Sequence, residues 1–433
     1  MMNGFKEKKV TIFGAGKSGV AVAKKLVDLG AEVFVTEANS TLDMEVMSKL
    51  RSLAVKLELG GHTAKAVERA ELIIMSPGVH LDLPVLDEAR KKGIPIQSEI
   101  ELAYAFITKP IIAVTGTNGK TTTTTLIGEM LKAGGRKMVV AGNIGNPLIE
   151  VDDSQLDYVV AEISSYQLES IDKFKPWISV ILNIQPDHLE RHHSMEEYIK
   201  QKARIFMNQA GDDYIVYNME DPGVTAMVKN AKARLIGFSQ DRAEIITLSP
   251  EQIRLPGKHN LDNSLAAAQV AYLCGIDKHS VAEVLRNFAG VEHRIEYVTA
   301  KNEVEFYNDS KATNPASTKV AINTFAGKGI VLILGGREKG VGLEALAKQV
   351  KEQVRAVVLI GEAAPKFEEA LRKAAFNKFY NLGFSLEDGV KKAFSLAEPG
   401  DIVLFSPACA SFDMFRNYEE RGRAFKTICL NLK

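Results

Sequence analysis

Residues Gly116 to Thr122 read GTNGKTT, directly after the apolar run IIAVT and before the helical pattern TLIGEML. Glycines let a backbone approach phosphate oxygens, and consecutive amide N–H groups at a helix N-terminus cradle their charge. In such a loop Gly116, Thr117, Asn118 and Gly119 would wrap the phosphates, with Lys120 reaching the terminal ones. Thr121 would offer its hydroxyl to Mg²⁺ and Thr122 would continue the loop. Only Thr117 and Asn118 separate the two glycines, so this is a shortened phosphate loop. A chance Lys-Thr after a glycine turn is the alternative, and the strand and helix on either side argue against it. Magnesium prefers oxygen ligands, often a carboxylate beside phosphates. Glu162 ends the apolar run YVVAE and can be that carboxylate or an edge-of-sheet ion pair. His188 follows the run ISVILNI and can be structural or face the nucleotide. His192 and His193 lie in a polar stretch and are expected to be solvated. Residues 195–206, MEEYIKQKARIF, predict an amphipathic helix on which Lys200, Lys202 and Arg204 form a solvated charged face. The five threonines Thr121 to Thr125 are poor helix formers and are expected in a first helical turn with hydroxyls facing a ligand.

A second glycine loop, GAGKSG, opens the chain after KVTIF. Gly14, Gly16 and Gly19 fit the GxGxxG spacing, and Glu37 ends the next apolar run about 20 residues later. By itself this pattern reads as dinucleotide binding, and it is a weak signal.

These loops need strands that end at them. Three segments share the order apolar strand, glycine turn, helix: Val10 to Gly30, Ile111 to Gly135, and Gly329 to Gly340. That order is the unit of an open parallel α/β sheet. The runs AEVFVTE, ELIIMSPG, AVVLIGE and DIVLFSP add strands rich in Val and Ile, as expected when both faces are buried. The pattern restarts near Gln97 and again near Glu296. It predicts an α/β chain of three domains: a Rossmann-like part over 1–97, a central ATPase part with a mainly parallel sheet over 98–296, and a Rossmann-like part over 297–433.

The 433 residues agree with three domains at roughly 150 residues each. Lys plus Arg and Asp plus Glu both number 54, so the net charge is zero. That balance argues against a general nucleic-acid or membrane-surface binder. Three scattered cysteines are too few for a disulfide framework. No run reaches the roughly 18 apolar residues of a membrane span, and the N-terminal stretch shows no signal-peptide pattern. A cytoplasmic enzyme is expected.

GTNGKTT, AEISSYQLE, NIQPDHLERH, the helix with Lys202, HNLDNSLAA and NDSKATN together resemble the ATP-dependent Mur ligases of peptidoglycan synthesis, in order and interval. The resemblance covers essentially the whole chain. The early GAGKSG, NDSKATNPAS and SPACASFDMFRNYEERGRAF resemble the D-glutamate-adding branch, and no DNPR-type motif of the diamino-acid-adding relatives is present.

The resemblance implies a cytoplasmic, monomeric ligase acting on UDP-N-acetylmuramoyl-L-alanine and D-glutamate, with ATP and two Mg²⁺ ions. It implies an acyl phosphate and a tetrahedral intermediate, with no nucleic acid and no membrane insertion. Lys120 then matches the lysine on the transferring phosphoryl group, and Thr121 and Glu162 match the first metal's ligands. His188 and Lys202 match the second metal's ligands, with Lys202 carbamylated by CO₂, which replaces the solvated-face reading. Asn260 and Asn263 resemble adenine-side positions, and Arg294 and Asp309 resemble γ-phosphate and ribose contacts. Lys311, Thr313, Lys339, Ser411, Phe412 and Tyr418 resemble the D-glutamate pocket. The UDP substrate would meet Gly14, Lys17, Ser18, Thr36, Glu37, Ser76, Gly78 and Asn143. A folylpolyglutamate synthetase shares the ATPase core, but the first 97 residues count against it. An oxidoreductase using GAGKSG would leave the phosphate loop without a role.

Overall fold

A computed structural model describes residues 4–53, 55–255, 257–337 and 342–432. Its apolar runs pair into three sheets. The first contains β1 (Lys9–Phe13), β2 (Glu32–Glu37), β3 (Lys56–Leu59), β4 (Leu72–Met75) and β5 (Ile96–Ser98), in the spatial order β3-β2-β1-β4-β5. The second contains β6 (Ile111–Thr115), β7 (Met138–Gly142), β8 (Tyr158–Glu162), β9 (Ile178–Ile181), β10 (Tyr214–Asn218) and β11 (Arg234–Phe238), in the order β11-β10-β9-β6-β8-β7. All strand pairs in both sheets are parallel. The third contains β12 (Glu296–Lys301), β13 (Val304–Asn308), β14 (Ile330–Gly335), β15 (Ala356–Ile360), β16 (Phe379–Asn381) and β17 (Ile402–Phe405), in the order β12-β13-β17-β14-β15-β16. Only the β12–β13 pair is antiparallel in that sheet.

The residue types explain the architecture. β6, β14 and β15 are buried at every position, so no alternation of polar and apolar residues appears in them. Helices must cover both faces of such strands, which is the parallel α/β arrangement. The chain packs as two compact units: residues up to Ile253 with Lys258–Arg286, and Arg254–Gly257 with the chain from Asn287 onward. The first unit holds the first two sheets, and the second unit holds the third. Among the described residues no helix is long and apolar enough to cross a membrane. Cys274, Cys409 and Cys429 are buried thiols.

Strand register decides what meets at each sheet's carboxyl end. Phe13 pairs with both Thr36 and Met75, which brings Gly14, Glu37 and Ser76 to one end of the first sheet. β6 lies between β8 and β9, and the chain leaves it toward opposite edges. Ligands bind at such switch points in open α/β sheets. There Val114 pairs with Glu162 and Thr115 with Ile181. In the third sheet Asn308 pairs with Phe405, so Asp309 and Ser406 follow side by side.

Candidate active site

The loop 116–119 is shaped by two glycines in left-handed backbone. Gly116 has φ 152° and Gly119 φ 85°. A Cβ on Gly119 would overlap Asn263 Oδ1. The helix Lys120–Ala133 starts at Gly119 without a side-chain cap, so its first amides point into the loop mouth. The loop is braced from the end of β9. Thr117 N donates to Asn183 O (2.9 Å), Asn118 N to Asn183 Oδ1 (2.8 Å), and Gln185 N to Thr117 Oγ1 (2.9 Å). Asn183 Nδ2 returns a bond to Asn118 O (3.1 Å).

Lys120 Nζ donates to Gly116 O and Thr117 O, each at 2.9 Å. Lys202 Nζ donates to the same Gly116 O, also at 2.9 Å. Lys202 is 2% exposed. Burial, and then the charge of Lys120, holds its pKa well below the usual lysine range. The expected solvated face is therefore overturned for Lys202, although Lys200 remains exposed. Arg204, also expected there, is half-buried and donates to Leu168 O (2.7 Å) and Ile171 O (2.6 Å). The regular helix covers Met195–Ala203 and a 3-10 turn follows over Arg204–Phe206.

Glu162 is 2% exposed. Asn143 Nδ2 donates to its Oε1 (2.7 Å), while its Oε2 is buried without a hydrogen-bond partner. A buried carboxylate oxygen left this way is costly unless a cation or donor is supplied. The residues therefore fit a bound Mg²⁺. Among the described residues no group of three or more His, Cys, Asp or Glu side chains is arranged to hold a metal ion by itself. A cation here would rely on hydroxyl and phosphate oxygens beside Glu162, as magnesium does at nucleotide sites. His188, at φ 55°, places its ring 4.9 Å from that of Tyr166, with Nε2 3.4 Å from Asp187 Oδ2.

Two further expectations are corrected. His192 is buried, with Nε2 2.9 Å from Ser165 Oγ, and only His193 of the pair is exposed. The threonine run does not present all its hydroxyls to a ligand. Thr124 Oγ1 donates to Lys120 O and Thr125 Oγ1 to Thr121 O, each at 2.8 Å, while Thr123 Oγ1 bonds Asn263 Oδ1 (3.2 Å). Back-bonding to the preceding turn is a common use of helical threonine. Thr121 and Thr122 are the remaining candidates. Asn263 Nδ2 donates to Asn260 Oδ1 (3.2 Å), so the two asparagines expected on the adenine side are linked to each other, and Asn263 to the loop helix through Thr123.

At the first sheet's end, Glu37 Oε2 accepts from Ala15 N (2.8 Å) and Oε1 from Asn39. This acidic side chain braces the glycine loop. Thr36 Oγ1 is enclosed by Glu58, Gly61 and His62. Ser76 Oγ donates to Gly14 O (3.1 Å), and Lys17 Nζ to Gly145 O (2.6 Å). Ser18 is half-buried and Gly78 exposed.

In the second unit, Asp309 is buried and accepts from Ser406 Oγ (2.6 Å) and Ile295 N (3.3 Å). Burial pushes its pKa up to about 7, against the opposing pull of Ser406 and the nearby Arg294. Lys311 and Thr313 are half-buried on the loop after it, Ser411 is buried and Phe412 is 61% exposed. Tyr418 O accepts from Ser310 Oγ (2.8 Å), and burial raises its hydroxyl pKa to about 12. Lys339 lies outside the described residues.

Residue patterns missed several supports. Tyr198 OH lies 3.0 Å from Thr117 Oγ1, and its ring lies 4.7 Å from Lys202 Nζ. Its place four residues before Lys202 on one helix face was the available signal. Arg421, fully buried, donates to Ser310, Cys409 and Ala410, and nothing in its local sequence marked it.

Comparisons with known proteins agree along the chain. The family described as Mur ligase MurD-like, N-terminal domain, matches residues 8–98. The Mur ligase middle domain matches 114–271, and the Mur ligase, glutamate ligase domain, matches 293–409. The UDP-N-acetylmuramoylalanine–D-glutamate ligase of Caldanaerobacter subterraneus subsp. tengcongensis is 43% identical, covering 99% of each chain. That of Pelotomaculum thermopropionicum is 44% identical, covering 100% of each. Among solved structures, the UDP-N-acetylmuramate-alanine ligase of Thermotoga maritima superposes with a TM-score of 0.57 at 21% identity, covering 98% of this chain and 100% of the other. That likeness supports the fold. The chain belongs to the Mur ligase family, within its UDP-N-acetylmuramoylalanine–D-glutamate ligase branch.

Proposed function

We propose that this chain is a cytoplasmic, monomeric ligase that joins D-glutamate to UDP-N-acetylmuramoyl-L-alanine and converts ATP to ADP and phosphate. What carries the reading is full-length identity of 43% to a ligase of that name, at a site where a phosphate loop, a buried carboxylate and a buried lysine converge. In this reading residues 1–97 take the UDP sugar, 98–296 the ATP and 297–433 the amino acid. The chemistry accounts for the residues. A carboxylate is a poor electrophile until one oxygen becomes a phosphate leaving group. The amine of D-glutamate then attacks the acyl phosphate, and the tetrahedral adduct expels phosphate.

The loop amides of 116–122 hold the phosphates, and Lys120 offsets charge on the transferring group. Thr121 and Glu162 would hold one Mg²⁺, and His188 and a modified Lys202 a second. Bound magnesium would neutralise phosphate charge and polarise the transferring group. Lys202 suits modification because burial and the charge of Lys120 shift its amine toward the neutral form. The nitrogen lone pair attacks the carbon of CO₂, a C–N bond forms, one proton leaves, and a carbamate anion results. That anion can face a cation where an ammonium cannot. Asn260, Asn263, Arg294 and Asp309 would complete the nucleotide site. Lys311, Thr313, Lys339, Ser411, Phe412 and Tyr418 would receive D-glutamate. The UDP substrate would meet Gly14, Lys17, Ser18, Thr36, Glu37, Ser76, Gly78 and Asn143.

The test is phosphate release from ATP with each substrate omitted in turn, and with L-glutamate, L-alanine or a diamino acid replacing D-glutamate. Release that needs both UDP-N-acetylmuramoyl-L-alanine and D-glutamate is expected. Hydride transfer to a nicotinamide with no ATP requirement would refute the reading.

A further inference from the structure

We infer that Arg191 is a positioning residue that holds the UDP-substrate loop in register with the phosphate-transfer site. The inference rests on the proposed function. Arg191 belongs to the short helix Leu189–His192, just past His188. Its guanidinium is nearly enclosed, at 7% side-chain exposure. Nε donates to Glu169 Oε1 (2.9 Å) and one Nη to Glu169 Oε2 (2.6 Å), a bidentate pair. The same group reaches a different layer of the first unit, donating to Pro77 O (3.1 Å) and Val79 O (2.9 Å). Its Cζ lies 4.3 Å from the centre of the Tyr166 ring, against which His188 also packs.

Pro77 and Val79 flank Gly78 in the loop that leaves β4. That loop touches the first glycine turn: Ser76 Oγ donates to Gly14 O (3.1 Å), and a Cβ on Gly14 would come within 2.9 Å of both Ser76 Cβ and Val79 Cγ2. One guanidinium therefore links the stretch carrying His188 to the loop bracing the glycine turn. A planar fork can satisfy a carboxylate and two carbonyls at once, which an ammonium cannot do in the same geometry. Moving reacting groups by about 1 Å can cost roughly a hundredfold in rate, so such a link matters for aligning a muramoyl carboxylate with a phosphate donor.

Calorimetric titration of the full-length protein with UDP-N-acetylmuramoyl-L-alanine, and separately with ATP and Mg²⁺, tests this without relying on turnover. Arg191→Ala should raise the UDP-substrate Kd by about tenfold or more and leave the ATP Kd within about twofold. Arg191→Lys should recover only part of the loss. A steady-state rise in KM for the UDP substrate, with KM for ATP unchanged, is the matching kinetic split. If Arg191→Ala does not fold, Glu169→Gln gives the same reading, because it weakens the bidentate anchor and keeps the guanidinium. Wild-type affinity for the UDP substrate in folded Arg191→Ala, or in Glu169→Gln where the alanine variant does not fold, would overturn the inference. Equal loss of both ligands would overturn it as well, marking a merely structural role. Failure of the wild-type protein to bind either ligand would instead remove the proposed function, and this inference with it.

Discussion

Lys120 and Lys202 donate to one carbonyl oxygen, that of Gly116, each at 2.9 Å. Two ammonium groups that close repel each other, and the buried one yields its proton first. Lys202 is the buried one, and burial, then the charge of Lys120, shifts its nitrogen toward the neutral amine. Carbamate formation requires the neutral amine, and that shift favours it. Lys202→Ala should lower kcat by roughly a thousandfold, as for loss of a charged group at a transferring centre, with partial rescue by added short carboxylates. Turnover assays with and without the carboxylate check this, and full activity without rescue would remove the carbamate role.

Lys120→Ala should abolish ATP-dependent turnover and leave the fold unchanged. Its side chain is half-buried at the start of the helix Lys120–Ala133 rather than inside a core, and it donates to two carbonyls of its own loop. Phosphate release and a circular dichroism melt, measured side by side, separate the two effects.

The threonine run divides by hydroxyl partner. Thr124→Val removes a hydroxyl that bonds back to Lys120 O in the preceding helix turn, so activity should stay within about twofold. Thr121→Val should cost more than about tenfold in kcat/KM and should raise the magnesium concentration needed for half-maximal rate. Equal losses in the two variants would contradict the assignment of Thr121.

Gly119→Ala places a methyl group against Asn263 Oδ1 on a residue with φ 85°. The strain acts on the phosphate loop itself. ATP affinity should fall by at least about tenfold, read by titration, with UDP-substrate affinity preserved.

Glu99 gives a pH signature in stability. Burial pushes its pKa from 4.5 to about 7, against the amides of Ile149 and Leu148, with Glu150 adding to the rise. Between those values the folded chain holds a proton that the unfolded chain has lost. Stability should therefore fall as pH rises from about 5 to 8, by up to about 3 kcal/mol. Glu99→Gln keeps the shape without the titration, so its melting temperature should depend less on pH over that range. Parallel slopes for the two proteins would count against a buried, protonated Glu99.

The sequence alone determined the chemistry class and the repeated order of strand, glycine turn and helix. A phosphate loop is contiguous, and its glycines, lysine and threonine act through the backbone of one strand-turn-helix segment. Strands buried on both faces likewise show as unbroken Val and Ile runs, so the parallel layers were legible. Side-chain fate was not. Lys202 meets Gly116 across 86 residues, and Arg191 meets Pro77 across 114. Helical periodicity places Lys200 and Lys202 on charged ground alike, and only packing of that helix against the phosphate loop buries one of them. The same holds for His192 against Ser165 and for Thr123 against Asn263. Burial and charge state depend on which elements pack together, and that is set by long-range contacts that local pattern does not carry.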